Sequence, residues 1–371
     1  MIAMAKDLEV SDEMRKKIAE ANADAIKREG LNPDAVEPWE DGYRTAERDD
    51  AFEWWYFDAQ FDDGSTCVIT YNTKTNIKPS GPLEPSILFI ARSAEGERKS
   101  SFWKGEPGDL TASADACDVR IGPSWVKGDL ENYQLHAEAD ELVADLRIKR
   151  GAPSWRPGAA VTYLDPGKKK FFAWVVPVPY GTVEGELEVA GKRRSVKGTV
   201  YHDHNWGNFM LAQMLDHWYW GRAHVGDFSI IFSQLTSAGI FGLGAVKMHV
   251  FFLAKGEEIL TDDGLPLHLV TADFIKGPGD RSYPTRLDLT WEAEEGSVRM
   301  AIRNPKLLEA IDGLGDTPAR QSPLMHLITS PYYYDFEADL ELDVDLKGVK
   351  AHEQGRVIYE QMLFHKKASG D

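Results

Sequence analysis

Eight residues, Tyr201-His-Asp-His-Asn-Trp-Gly-Asn208, bring two histidines, an aspartate, an asparagine and a tryptophan together. On a strand, side chains alternate between faces, so His202, His204 and Trp206 lie together, with Asp203 and Asn205 opposite. Three chemistries suit this pattern. A His-x-His pair can chelate zinc, iron or copper, given a third ligand from His224, Asp216 or Glu360. The same groups can move protons. Or Asp203 and Asn205 can bond backbone amides beside a Trp206-Gly207 bend. The motif is short and no second metal-type cluster accompanies it, so metal ranks last and none is assigned.

A second constellation is FEWWYFDAQF, residues 52–61. Glu53, Trp55, Phe57, Ala59 and Phe61 share one face of a strand, and Phe52, Trp54, Tyr56, Asp58 and Gln60 the other. Aromatics on both faces suit either barrel core plus an interface patch, or an aromatic-walled pocket with Glu53 looking in. The third is DHWYWGRAHVG, residues 216–226. Asp216, Trp218, Trp220, Arg222 and His224 share a face, and His217, Tyr219 and Ala223 the other. A buried charge is costly unless paired, so the first face either holds a paired network or opens on a polar cavity.

The elements that must position these groups are mostly strands. Near the start, Met14, Ile18, Ala25 and Ile26 make one helical stripe, ended by Gly30 and Pro33. From about Glu47 onward, period-2 alternation and turn pairs such as Asp63-Gly64, Glu95-Gly96 and Asp263-Gly264 dominate. Helical exceptions are expected at Asn208 to Asp216 and at Asn304 to Ile311, where Pro305 would open a short helix. An internal repeat narrows the architecture: Trp55-Tyr56-Phe57 matches Trp218-Tyr219-Trp220, each followed by an acidic-glycine turn and a β-rich run. The expected organisation is a helical arm over 1–46, a first β domain over 47–195 and a second over 196–371, each of a size for a closed barrel.

Composition excludes several classes. With 42 basic and 60 acidic residues, the net charge of −18 disfavours nucleic acid and anionic membrane. Two cysteines outside any CxxC pair give neither a disulfide framework nor a thiolate zinc site. The start has no signal-peptide pattern, and apolar runs such as FFAWVV are far below the ~20 residues that span a bilayer. A soluble cytoplasmic protein is expected, of unspecified oligomeric state. No GxSxG, P-loop or Rossmann glycine motif appears.

Glu53-Trp-Trp-Tyr-Phe57, the acidic-glycine turn after it, Asp203-His-Asn-Trp-Gly207 and the strand Trp218-Tyr-Trp220 resemble the carotenoid 1,2-hydratase (hydroxyneurosporene synthase) and AttH-like superfamily. The resemblance spans roughly residues 50 to 365. It implies an all-β fold of two tandem lipocalin-like (calycin) β-barrel domains, and its fold relatives include kievitone hydratase-type enzymes and lipocalin-like Diels–Alderases. It also implies a pocket for a large apolar molecule and no cofactor. The family's histidine and tryptophan map to His204 and Trp206. The hydratases' downstream Tyr-x-Asp pair has no counterpart, because the comparable strand here reads Ile230-Ile-Phe-Ser233.

The reading is a cofactor-independent enzyme for a hydrophobic isoprenoid, phenolic or polyketide molecule. Acid-catalysed hydration or dehydration of an alkene comes first, pericyclic cyclisation or isomerisation second, and a non-catalytic lipophilic carrier third. His204 and His202 would handle protons or water, Glu53 or Asp203 would be the acid, and Tyr219 and Arg222 would polarise the substrate. Trp54, Trp55, Tyr56, Trp206, Trp218, Trp220 and His224 would line the pocket, their π faces stabilising a cation.

Overall fold

The computed structural model describes residues 6–7, 12–76, 79–163, 167, 169–238, 246–313 and 330–365. The chain forms two compact units, Glu13–Met210 and Leu211–Asp371, and the short strand Lys6–Asp7 joins the second. Among the described residues the first unit holds a sheet of 12 strands and the second a sheet of 10. Both are lipocalin-like, curled around a packed interior. The alternation predicted from sequence is what builds them: in Tyr332–Leu346, Phe336, Ala338, Leu340, Leu342, Val344 and Leu346 are buried while acids occupy most of the intervening positions.

The two units share one plan. In the first, Phe52–Phe61, Thr66–Asn72, Ser86–Arg92 and Arg98–Lys104 meander away, a second meander runs from Leu110 to Gly207, and its final strand, Lys192–Gly207, returns to pair with Phe52–Phe61. In the second, Leu215–Val225, Phe228–Ser237 and Val246–Lys255 begin the meander, and the final strand, Val349–Leu363, returns to pair with Leu215–Val225. The first sheet curls far enough that the Tyr71 hydroxyl donates to the Trp125 and His136 carbonyls at 3.0 and 2.9 Å, on strands far from its own in sheet order.

Three expectations need correction. The boundary falls at Met210/Leu211 rather than 195, because Lys192–Gly207 is hydrogen-bonded on both edges within the first sheet. Most of the supposed arm also belongs to that unit: the helix Asp12–Glu29 is followed by a 3-10 turn, Pro38–Asp41, whose Glu40 and Asp41 are buried. Asn304 to Ile311 is not a helix but part of the strand Gly296–Asp312. Pairing skips between Arg303 and Lys306, and Asn304 takes φ 53°. Pro305, which has no N–H to give, sits in the resulting bulge. Of the helical turn expected at Asn208 to Asp216, a 3-10 turn forms at Leu211–Gln213.

The repeat also carries a surprise. Trp55 and Phe57 point into the first barrel, whereas in the second barrel Tyr219, Ala223 and Val225 point in, which turns Trp218 and Trp220 outward. The matching triplets lie on opposite faces of equivalent strands, since a one-residue slip inverts a strand. Among the described residues no helix is long and apolar enough to cross a membrane.

Candidate active site

His202 and His204 point into the first barrel beside Trp206, as the alternation predicts, and neither ring has exposed surface. His204 stacks on Trp55, with ring centroids 4.7 Å apart, and His202 on Phe57, at 4.0 Å. These contacts follow from register, because Trp55 pairs with His204 and Phe57 with His202 across the two strands. The His204 Nε2 lies 2.7 Å from Glu53 Oε1, and its Nδ1 lies 3.2 Å from the Glu40 carbonyl. The His202 Nδ1 lies 2.9 Å from the Tyr56 carbonyl, and its Nε2 lies 3.2 Å from Asp41 Oδ2.

Every nitrogen of both rings therefore faces an acceptor. Glu53 is filled from its other side: Arg44 N–H donates to Oε1 at 2.8 Å, and Thr45 donates its N–H and hydroxyl to Oε2 at 2.8 and 2.7 Å. His204 and Glu53 thus form a buried hydrogen-bonded pair, and backbone and hydroxyl donors fill the rest of the carboxyl. Asp41 takes a further hydrogen bond from the Tyr133 hydroxyl at 2.6 Å. Arg156 donates to Glu40 at 3.1 Å, while burial pushes the Glu40 carboxyl up.

One grouping of metal-type ligands is buried here. Asp41, Cys117 and His202 offer ligand atoms within 4.8 Å of one another. The Cys117 thiol is held well above its usual range by burial and by Asp41. His202 and His204 are not poised as a chelating pair, since their nitrogens are committed to Tyr56, Asp41, Glu40 and Glu53.

The opposite face of the same strand differs. Asp203 is half-buried on an outer surface with Trp54, Tyr56, Phe172 and Trp174, all half-buried too. Its Oδ2 accepts from Tyr201 O–H at 2.8 Å and Trp174 Nε1–H at 3.1 Å, and its Oδ1 accepts from Asn205 at 2.7 Å. Burial raises its pKa to about 6, against the opposing pull of these donors and of His202. Trp54 stacks on Phe52 at 5.2 Å and lies 6.0 Å from Phe172. This face combines an acid that titrates well above the usual carboxyl range, near 6, with a sheet of π surface.

The remaining predicted residues divide among other surroundings. Trp55 is wholly buried core, its indole N–H donating to the Asp41 carbonyl at 2.9 Å. In the second unit Tyr219 faces the barrel interior, while Trp218, Trp220, Arg222 and His224 are half-buried on the outer face of the same strand. Tyr219 and Arg222 thus cannot address one molecule from one side. Trp218 donates to Glu360 at 2.7 Å, and His224 lies 3.0 Å from the Ser229 hydroxyl, with burial lowering its pKa. Sequence reasoning missed Glu40, Asp41, Thr45 and Tyr133. The signal for two of them was the acidic pair in Pro38-Trp-Glu-Asp41, which lies outside any periodic pattern.

Residues 125–276 match the Diels–Alderase-like family. Among curated proteins the chain is 28% identical over 204 residues to hydroxyneurosporene dehydrogenase of Chlorobaculum tepidum, covering 46% of this chain and 53% of that protein. It is 23% identical over 198 residues to the quinolone epoxide rearrangement protein of Emericella nidulans, covering 48% and 53%. The chain spans about half the length of the curated relatives it matches. An AttH-type protein of Nitrosomonas europaea has a similar fold, with a TM-score of 0.58, 16% identity and coverage of 90% and 98%. So does kievitone hydratase of Nectria haematococca, with 0.55, 14%, 91% and 95%. These relatives and folds are consistent with the superfamily that the motifs resemble.

Proposed function

We propose that the chain is a cofactor-independent enzyme that modifies a hydrophobic isoprenoid, phenolic or polyketide molecule by acid-catalysed hydration or dehydration, with Asp203 as the acid. The observation that carries this reading is Asp203 itself: a half-buried carboxyl raised to about 6 on a face built from Trp54, Tyr56, Phe172 and Trp174. An alkene needs a neutral carboxylic acid as proton donor, and burial extends that neutral form up to about pH 6. Oδ2 already accepts two hydrogen bonds and Oδ1 one, so the proton rides on Oδ1. Transfer from Oδ1 to an alkene carbon leaves a carbocation, which the indole faces stabilise. Water adds to the cation, and its released proton returns to the Asp203 carboxylate. Dehydration is the reverse.

His204, His202, Glu53 and Asp41 support this step from behind. They are sealed in the barrel and fix the strand that presents Asp203. The names of the relatives favour small-molecule chemistry, and the match to a Diels–Alderase-like family, with the epoxide rearrangement named in one relative, favours a second reading. There the same acid donates a hydrogen bond to a carbonyl or epoxide oxygen while the aromatic face holds the chain folded. A carrier would need an apolar cavity, and the first barrel's interior is filled by its own side chains, among them Trp55, Phe57, Tyr71, Phe89 and Tyr133.

The test is incubation with lycopene in D2O, with mass spectrometry of the products. Hydration adds the elements of one D2O, with one deuterium bound to carbon; pericyclic cyclisation adds neither. Asp203→Asn should lower turnover by about 10²–10⁴-fold. Unchanged turnover in that variant would sink the assignment.

A further inference from the structure

No step at Asp203 touches the buried grouping of Asp41, Cys117 and His202, whose members come from three separate elements. His202 stands on the strand Lys192–Gly207 and points into the first barrel. Asp41 closes the 3-10 turn Pro38–Asp41, and Cys117 ends the bend that leads into the strand Asp118–Ile121. Backbone contacts lay the turn onto the bend. Tyr43 N–H donates to the Ser113 carbonyl at 2.7 Å, and a Cβ on Gly42 would sit 2.6 Å from the Ala114 carbonyl oxygen. All three side chains are buried.

Hydrogen bonding alone leaves the grouping incomplete. A carbonyl only accepts, so His202 gives its Nδ1–H to Tyr56 and turns Nε2 toward Asp41 Oδ2, 3.2 Å away. Asp41 Oδ2 also accepts from the Tyr133 hydroxyl at 2.6 Å, and Oδ1 makes no hydrogen bond among the described residues. A ring lone pair that faces a carboxylate needs a cation between them, either a proton or a metal ion. A proton joins two atoms, and here a third ligand, the Cys117 sulfur, converges with them: the three ligand atoms lie within 4.8 Å of one another. Atoms so spaced share a point no more than about 2.8 Å from each, the limiting separation divided by √3. Zinc bonds such atoms at about 2.0–2.3 Å, so side-chain shifts of less than an ångström close the shell. An ion of this size needs no cavity beyond the point between its ligands.

We propose that Asp41, Cys117 and His202 Nε2 bind a structural zinc ion inside the first barrel. Histidine, thiolate and carboxylate are the donors zinc takes, and with both oxygens of Asp41 engaged the shell has four atoms. The supports that metal ligands need are in place: the Tyr56 carbonyl anchors the His202 ring at Nδ1, and Tyr133 holds the carboxylate. On binding, the S–Zn bond forms and the Cys117 S–H proton leaves to solvent. The thiolate and the carboxylate then balance the ion's two positive charges, so the interior gains no net charge. Two cysteines are too few for a site built of thiolates, but this donor set needs only one. Among the described residues the other grouping of this kind, Glu341, Asp343 and His352, is exposed, where water competes for the ion. The zinc site is sealed in the barrel, and its occupancy does not depend on turnover at Asp203.

Elemental analysis of the full chain, expressed with added zinc, should give about one zinc per chain. Expression with cobalt in place of zinc should give the intense visible bands of four-coordinate cobalt and a sulfur-to-cobalt charge-transfer band in the near ultraviolet. That spectrum reads the wild-type chain and needs no variant. Cys117→Ser keeps the size of the side chain. It should lower the metal content by about tenfold or more and abolish the charge-transfer band, with the far-ultraviolet circular dichroism unchanged. His352→Ala should change neither metal content nor spectrum. A wild-type chain without zinc, bound cobalt without the sulfur band, full zinc content in Cys117→Ser, or zinc lost in His352→Ala would each overturn the proposal.

Discussion

His204 and Glu53 meet at 2.7 Å inside the first barrel, 151 residues apart in sequence, with neither side chain touching solvent. Breaking a buried hydrogen-bonded pair from one side leaves the other group without its partner, at a cost of roughly 1–3 kcal/mol. Glu53→Gln also turns an amide N–H toward either His204 or Thr45, donor against donor. Urea unfolding should show a loss of that size for Glu53→Gln and for His204→Phe singly. The double variant Glu53→Leu/His204→Phe should lose less than the two single losses combined, because neither member is left facing a missing partner.

Activity should follow the protonation of Asp203. If it donates the proton, kcat/KM falls as pH rises through about 6. Trp174→Phe removes an N–H donor that favours the carboxylate. That change should move the descending limb to higher pH without abolishing turnover. A limb that stays in place would detach Asp203 from the rate.

The same raised pKa has a signed effect on stability. An acid that titrates near 3.8 when unfolded and near 6 when folded costs nothing below about pH 4, where both states are protonated. Between about 4 and 6 the unfolded state ionises first and native stability declines; above 6 the penalty is complete, at most roughly 3 kcal/mol. Asp203→Asn should remove this decline. Stability measured by urea at pH 4, 5, 6 and 7 would show a flatter profile in the variant, and parallel profiles would contradict it.

Gly198 tests the register of the central strands. A Cβ there would sit 2.0 Å from the Gln60 carbonyl oxygen and 2.7 Å from the Phe61 Cα, both backbone atoms of the paired strand. Gly198→Ala must force the strands apart, at a cost of about 1–3 kcal/mol. A thermal melt should fall by several degrees.

Much of this site was legible in the sequence because strand alternation is a strong local rule. It put His202 and His204 on one face, Asp203 on the other, and Glu53 with Trp55, all as found. It could not supply Asp41, whose contact with His202 joins positions 161 residues apart through a short 3-10 turn with no periodicity. Nor could it reveal that the aromatic repeat is out of phase. The phase depends on turn length: Val225 pairs directly with Phe228 across Gly226-Asp227, whereas Gln60 pairs with Thr66 across a longer loop. The Asn-Pro at 304–305 misled because its helix-opening signal equally suits a strand bulge, and only neighbouring strands decide between them.

The return of each unit's last strand to its first governs how the chain can fold. Phe52–Phe61 emerges early in synthesis with one edge unpaired, and its partner, Lys192–Gly207, arrives some 150 residues later. Leu215–Val225 waits similarly for Val349–Leu363. Closure over such separations is slow, and an open, aromatic-rich edge is vulnerable to pairing with the wrong chain meanwhile. Expression yield should therefore depend on how quickly each closing strand follows its opening one, and a chain truncated just before residue 192 or 349 should aggregate rather than persist as a smaller barrel.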